Sequence, residues 1–235
     1  MHLLTITGAL TKLVWGDFKG AVVDCDKAIE LNPKPAYYTI RGIPKLHLRD
    51  LEGAIADQDK AIEIEPEYAP AYHNRGIAKS NLGDLEGAIA DQDKAIELDS
   101  EYELPYNNRG NAKIYLGDFE GAIIDYNKAI EINPKYVSPY NNRGIAKSNL
   151  GDFEGAIADC DKSIELNPKD ADPYNNRGIA KTYLGDFEGA IIDYNKAIEI
   201  NPKDANAYYN RSNARLLKHD FIGMIKDFFQ YLKLK

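Results

Sequence analysis

This chain of 235 residues is short of most features that announce a chemistry. Its two cysteines, Cys25 and Cys160, are too few for a disulfide framework and fit a reducing, cytoplasmic setting. The four histidines, His2, His47, His73 and His219, share no metal-ligand spacing, and no Ser, Cys or Lys sits in a nucleophile motif. No Gly-x-x-x-x-Gly-Lys-Ser/Thr loop is present to cradle a phosphate. Cations are outnumbered, 29 Lys and Arg against 37 Asp and Glu, and the net charge of -8 argues against nucleic acid, whose binding needs clustered cations that displace counterions. No run approaches the roughly 18 apolar residues a membrane helix needs. The opening Met1–Leu10 is partly apolar but has no basic start, which makes it a poor signal peptide. Catalytic, cofactor-binding and metal-binding residues are therefore all expected to be absent.

What the chain has instead is a period. Gly53, Gly87, Gly121, Gly155, Gly189 and Gly223 fall 34 residues apart, each inside a near-copy of Gly-Asp-Phe-Glu-Gly-Ala-Ile. A fixed period of this length marks stacked units that bury a continuous core between neighbours. The two cysteines occupy one column of the repeat, four units apart, beyond bridging distance.

Residues 103–136 show the unit. Pro105 suits a first helical turn, Gly117 can take the left-handed conformation that closes a helix, and Asp118 can cap the next. Ala122, Ile123, Tyr126, Ala129 and Ile130 recur at three- and four-residue steps, the stripe of a helix with one buried face. Asn133-Pro134 ends it. Gly110, Gly121, Ala122 and Ala129 are small where crossing helices would meet, so the glycines read as turns and close contacts.

On these residues the unit resembles a tetratricopeptide repeat, with Tyr106 at the first aromatic, Gly110 at the glycine, Ala122 and Ala129 at the small positions, Tyr126 at the second aromatic and Pro134 closing. Arg109 and Lys113 depart from the pattern, standing for a leucine and a tyrosine. About seven copies agree in frame, at roughly 2–34, 35–68, 69–102, 103–136, 137–170, 171–204 and 205–235. The resemblance implies an all-α, right-handed α-solenoid superhelix over 1–235, with first helices lining a concave groove and second helices forming the outer wall.

Several columns are candidates for chemistry. Arg75, Arg109, Arg143 and Arg177, with Arg41 and Arg211, precede Asp91, Asp125, Asp159 and Asp193, with Asp57 and Asp227, by 16 residues. An antiparallel helix pair levels these columns, predicting Arg–Asp bridges within or between repeats, because an unpaired buried charge is very costly. An anion-binding arginine ladder is the alternative. Asp57-Gln58-Asp59, Asp91-Gln92-Asp93 and Asp159-Cys160-Asp161 imitate a metal motif, but residues two apart on a helix do not face each other. One carboxylate of each is expected to meet the arginine and the other to be solvated.

Asn74, Asn108, Asn142, Asn176 and Asn210 form an amide ladder beside Asn107, Asn141 and Asn175. It shares a helix face with Asn111 and Tyr115 in one repeat and with Ile145 and Asn149 in the next. Amides can bond an extended peptide backbone without dictating its side chains. The row is similar to the asparagine ladder of the O-GlcNAc transferase superhelix; helix capping or scaffolding is the competing account. The lysine-bearing carboxylate clamp of some family members is not expected, since Thr39, His73 and Tyr209 stand in the groove columns where it needs a lysine.

Exceptions sharpen this. Residues 106–135 and 174–203 differ only at Asn111/Ile179 and Ile114/Thr182. Tyr115 and Tyr183 alternate with Asn81 and Asn149, giving a surface of alternating aromatic and amide, or simply the trace of a duplicated pair. Pro44 predicts a kink or late start in the second copy, which also has Arg49 at its turn and lacks the asparagines. The last helix, Phe221 to Leu234, is apolar enough to need a cover. The expectation is a non-catalytic scaffold binding a peptide or partner segment, with self-assembly through terminal repeats, or a recognition arm of a larger enzyme, as alternatives.

Overall fold

A computed structural model describes residues 2–235, with side chains from residue 5; Met1 and the side chains of His2, Leu3 and Leu4, part of the opening apolar run, lie outside the described residues. The chain divides into two compact units, Met1–Asp118 and Phe119–Lys235. The first holds α1 (His2–Val14), α2 (Phe18–Leu31), α3 (Pro35–His47), α4 (Leu51–Ile64), α5 (Ala69–Leu82), α6 (Leu85–Leu98) and α7 (Glu103–Tyr115). The second holds α8 (Phe119–Ile132), α9 (Val137–Asn149), α10 (Phe153–Leu166), α11 (Asp172–Tyr183), α12 (Phe187–Ile200), α13 (Ala205–Leu217) and α14 (Phe221–Leu234). No strand occurs among the described residues.

The turn inside each repeat is one compact device. After α5, Gly83 is left-handed at φ 86°, its N–H donates to the Ser80 carbonyl, and the Asp84 N–H reaches back to the Lys79 carbonyl. This closes the helix and satisfies its orphan carbonyls. The same Asp84 then caps α6, its carboxylate accepting from the Gly87 N–H at 3.0 Å. Asp50, Asp152, Asp186 and Asp220 do likewise for Gly53, Gly155, Gly189 and Gly223. At these periodic glycines the nearest group is the capping carboxylate: a Cβ on Gly155 would lie 2.1 Å from Asp152 Oδ2, and one on Gly223 would meet Asp220 at 2.2 Å and the Arg215 side chain of α13 at 2.9 Å. Close helix approach falls at the glycine of the first helix, where a Cβ on Gly178 would lie 2.6 Å from the Tyr194 ring.

The core of each unit is a seam of small residues between helices. Ala88, Ala95, Ala71 and Ala78 are buried in the first unit, and Ala156, Ala190, Ala197, Ala180 and Ala214 in the second. Larger groups fill one column of the second helices, with Cys25, Gln58 and Gln92 in the first unit and Tyr126, Cys160 and Tyr194 in the second, all fully buried. Burial pushes the Cys25 and Cys160 thiols up to about 12, so neither is a nucleophile near neutrality.

Within each unit every helix packs on its chain neighbours, and alternate first helices also touch: α1 with α3, α3 with α5 and α5 with α7, then α9 with α11 and α11 with α13. Second helices do not touch one another in this way among the described residues. First helices thus crowd the inner side of each unit, and their exposed faces line its concave surface.

Two sequence irregularities resolve simply. Pro44 does not delay α3, which starts at Pro35, in register with α5 at Ala69, and runs on past the proline to His47. The proline stands in the column of Ala78, buried in the seam and one turn from the helix end, where a single lost bond does not stop propagation. The interval from Gly20 to Gly53 is 33 residues rather than 34, and the missing residue lies in the link Asn32–Lys34, which leaves the hairpins themselves intact.

Candidate functional site

The arginine column is committed to the fold. Arg75 Nε donates to Asp91 Oδ2 at 2.9 Å and Nη2 to Oδ1 at 2.6 Å, while Nη1 reaches back to Asp59 of the preceding repeat at 2.6 Å. Arg143 makes the same fork with Asp159, and Arg177 with Asp193; their third bonds go to Asn127 and Asp161. Arg41 and Arg211 repeat the geometry with Asp57 and Asp26, and with Asp227 and Asn195. Arg109 bonds Asp93 in the first unit, and Asp125 is buried in α8 of the second. Each guanidinium also lies over the ring of the tyrosine three residues earlier, Arg75 over Tyr72 at 5.4 Å and Arg177 over Tyr174 at 5.6 Å. Paired on three sides, these arginines are not an open anion ladder.

This corrects the expectation that the second carboxylate of each Asp-x-Asp is merely solvated. Asp59 and Asp161, though half-exposed, accept from the arginine of the following repeat at 2.6 and 2.5 Å. Residues two apart point about 160° from one another around a helix, so one carboxylate faces its own hairpin and the other the next. A second partner of the buried aspartate escaped sequence reasoning: Lys45, Lys79, Lys147 and Lys181 each place Nζ 2.8 Å from its Oδ2, and Arg215 places Nη1 there at 2.9 Å. A cation four residues after every such arginine was the available signal.

Thr39 and His73 also need correcting, because both are buried and neither lines a groove. His73 Nδ1 lies 2.9 Å from Gln92 Oε1, and the Gln92 amide donates to the His73 carbonyl at 3.1 Å. Burial lowers the His73 pKa, opposed by the bond to Gln92. Thr39 and Gln58 occupy the same two positions one repeat earlier, and there Thr39 Oγ1 and Gln58 Oε1 have no hydrogen-bond partner. Asn107 of this column is buried too, whereas Tyr209 is exposed.

The asparagines divide by role. Asn176 donates to Asn141 at 2.9 Å and Asn210 to Asn175 at 3.0 Å, bridging adjacent first helices in the second unit. Asn74, Asn81 and Asn149 donate to carbonyls of their own helices, those of Pro70, Ile77 and Ile145. Asn108 accepts from Asn107, and Asn142 is half-buried in α9.

On the concave side these residues converge into cavities. In the first unit Asn81, Asn108, Asn111 and Tyr115, with Ser80 and Gln92, line a small one of about 140 Å³. In the second, Ile145, Asn149, Asn176 and Ile179 surround about 110 Å³. Next to it Asn149, Phe153 and Tyr183 border about 400 Å³. A larger cavity of about 660 Å³ runs from Ile179 and Tyr183 to Tyr209, Asn210 and Leu217. Tyr115 and Tyr183 are 77% and 71% exposed, and Tyr183 stacks on Phe153 with centroids 4.7 Å apart. Asn81, Asn108, Asn111 and Tyr115 thus share one surface, and Asn149, Asn176, Tyr183 and Asn210 another. Among the described residues no cluster of His, Cys, Asp or Glu can hold a metal, and no described helix is long and apolar enough to cross a membrane.

Family profiles described as TPR repeat match residues 110–151 and 180–218, and others described as tetratricopeptide repeat match 137–170, 58–90 and 160–192. Together they span more than half of the sequence, and the chain belongs to the tetratricopeptide repeat family. No curated protein sequence matches it. Among solved structures, the Cut9-Hcn1 hetero-tetramer of the APC/C is similar with a TM-score of 0.85 at 20% identity, over 97% of this chain and 45% of that one. The chain therefore spans less than half the length of that relative. PilF of Pseudomonas aeruginosa has a TM-score of 0.76 at 18% identity, over 85% of this chain and 91% of its own. YrrB, a TPR protein with an unusual peptide-binding site, has a TM-score of 0.61 at 24% identity, over 76% and 92%. At these identities the likeness is one of fold alone, tandem helix pairs of the tetratricopeptide solenoid; membership of the family supports a protein-interaction scaffold.

Proposed function

We propose that the concave faces of the first helices bind an extended peptide or partner segment, without catalysis. The observation that carries this is that each unit has, on its first helices, a cavity walled by amides and an exposed tyrosine, beside a column of charges already consumed by ion pairs. Amides can bond peptide N–H and C=O groups in sequence, and aromatic rings supply contact area at low entropic cost. YrrB offers a precedent for a peptide site on this fold. A reducing, cytoplasmic setting accords with two buried thiols. Asn81→Ala with Asn149→Ala removes two exposed amides that bond only their own helices, so the fold should survive. Peptides selected on the full chain should lose affinity for this variant; unchanged affinity across the selected set sinks the reading.

Self-association is a second reading, favoured by α14. Phe221, Ile222, Ile225, Phe228, Phe229 and Leu232 are all exposed on this one helix, more apolar surface than isolated residues need. Light scattering decides: a mass that does not change with concentration removes it.

A further inference from the structure

The two nearly identical stretches 106–135 and 174–203 differ at two positions only, and the structure gives both differences one location. Ile179 and Thr182 line the large cavity of the second unit, whereas their counterpart Asn111 lines the small polar cavity of the first. Where the sequence is otherwise copied residue for residue, the change falls on the wall of a cavity. Around it the second unit adds Phe187, Tyr209 and Leu217, with the Asn210 and Asn213 amides at one side.

No Asp, Glu, Lys or Arg lines this cavity. Of the charges next in sequence to its wall, Glu188 and Lys218 form an ion pair of 2.6 Å, Lys181 pairs with Asp193, Arg211 pairs with Asp227, and the Asp186 carboxylate caps α12. An uncharged, mainly apolar open cleft of about 660 Å³ is within the size range of ligand sites. A charged side chain placed there would lose its hydration with no counter-charge in return.

We propose that this cavity seats a bulky uncharged side chain, Phe, Trp or Leu, of a bound peptide, with Asn213 and Asn210 serving the peptide backbone beside it. The assignment rests on the groove reading above and adds its specificity: Ile179 and Thr182 make this repeat the anchor, and its sibling with Asn111 is a polar, passing contact. Tyr183, stacked on Phe153, stands as the partition between the anchor cavity and the neighbouring one of about 400 Å³ that also holds Asn149.

The test is selection of random dodecapeptides displayed on phage against the full chain, followed by fluorescence anisotropy with the synthetic winners. Three proteins are compared: the natural chain, Ile179→Asn with Thr182→Ile, and Asn81→Ala with Asn149→Ala. The first variant copies residues that the sibling repeat already tolerates, and a thermal melt controls for its fold. The expected result is a consensus with one Phe, Trp or Leu in a neutral setting, and about ten-fold or greater weakening by the Ile179/Thr182 variant, as for a hot-spot residue. A consensus without a bulky apolar residue, or affinity within about two-fold for that variant, overturns the anchor. If winners still weaken on Asn81/Asn149 replacement, the groove reading stands without it. If they weaken on neither, or no peptide is selected, both fall.

Discussion

Arg177 and Asp193 are joined by two parallel hydrogen bonds, and Asp193 is 3% exposed while the arginine is 19% exposed. A carboxylate so deeply buried is tolerable only because Arg177 and Lys181 both face it. Asp193→Ala would strand these two cations against the seam and should cost about 3–5 kcal/mol in urea unfolding, the scale for breaking a buried pair. Asp161→Ala removes only the half-exposed acceptor of the same arginine and should cost about 0–1 kcal/mol. Equal costs would mean the burial difference carries no energetic weight.

Arg49 and His219 hold the left-handed turn position, at φ 65° and 63°, that glycine holds in other repeats. A side chain there costs about 1–2 kcal/mol, offset in part by the greater freedom glycine loses on folding. Arg49→Gly and His219→Gly should each raise stability by about 0.5–1 kcal/mol, measurable as a higher urea midpoint at unchanged slope. A lower midpoint for either would show that the side chain has contacts outweighing the backbone term.

His73 gives one pH dependence with a definite sign. Its folded pKa is depressed below the ordinary 6.5 by burial. The unfolded chain therefore takes up the proton first as pH falls, and stability drops wherever it does so. The contribution is fully present above about pH 6.5 and is lost as pH falls from there toward the depressed folded value. His73→Asn, the residue of the next repeats at that position, should flatten the difference in unfolding free energy between pH 7.5 and 5.5 (values chosen to bracket the reference pKa, about 6.5). A slope identical to that of the natural chain would refute it.

Thr39 and Gln58 fail to meet where His73 and Gln92 do, and two buried oxygens go unpartnered. Thr39→His should rebuild the bond and gain about 1 kcal/mol, the typical net worth of a buried hydrogen bond. Calorimetry reads this as a higher Tm. A loss would mean the seam around Gly42 has no room for the ring.

Much of the fold lies open in the sequence because its turn chemistry is unambiguous: Leu-Gly-Asp can only close one helix and cap the next. The Arg and Asp columns could be levelled from their 16-residue separation alone. Which side of a helix a column faces is harder, since one residue turns the direction by 100°. His73 and Asn107 stand one step from the half-buried amides Asn74 and Asn108, and that step, like the one from Ile40 to Thr39, carries them inside. The second aspartate of Asp59 or Asp161 depends on where the next hairpin lies, which no single repeat encodes. The cavity linings were half legible, because the Asn111/Ile179 difference marks a place without saying what encloses it.

Each inter-repeat arginine donates its third bond backwards: Arg75 to Asp59, Arg109 to Asp93, Arg143 to Asn127, Arg177 to Asp161, Arg211 to Asn195. The acceptor always lies earlier in the chain. Because a chain is made from its N-terminal end, the acceptor of each such bond exists before its donor does. Within each unit the outward acceptor of a hairpin, such as Asp59 or Asp161, is thus completed only by the hairpin made after it.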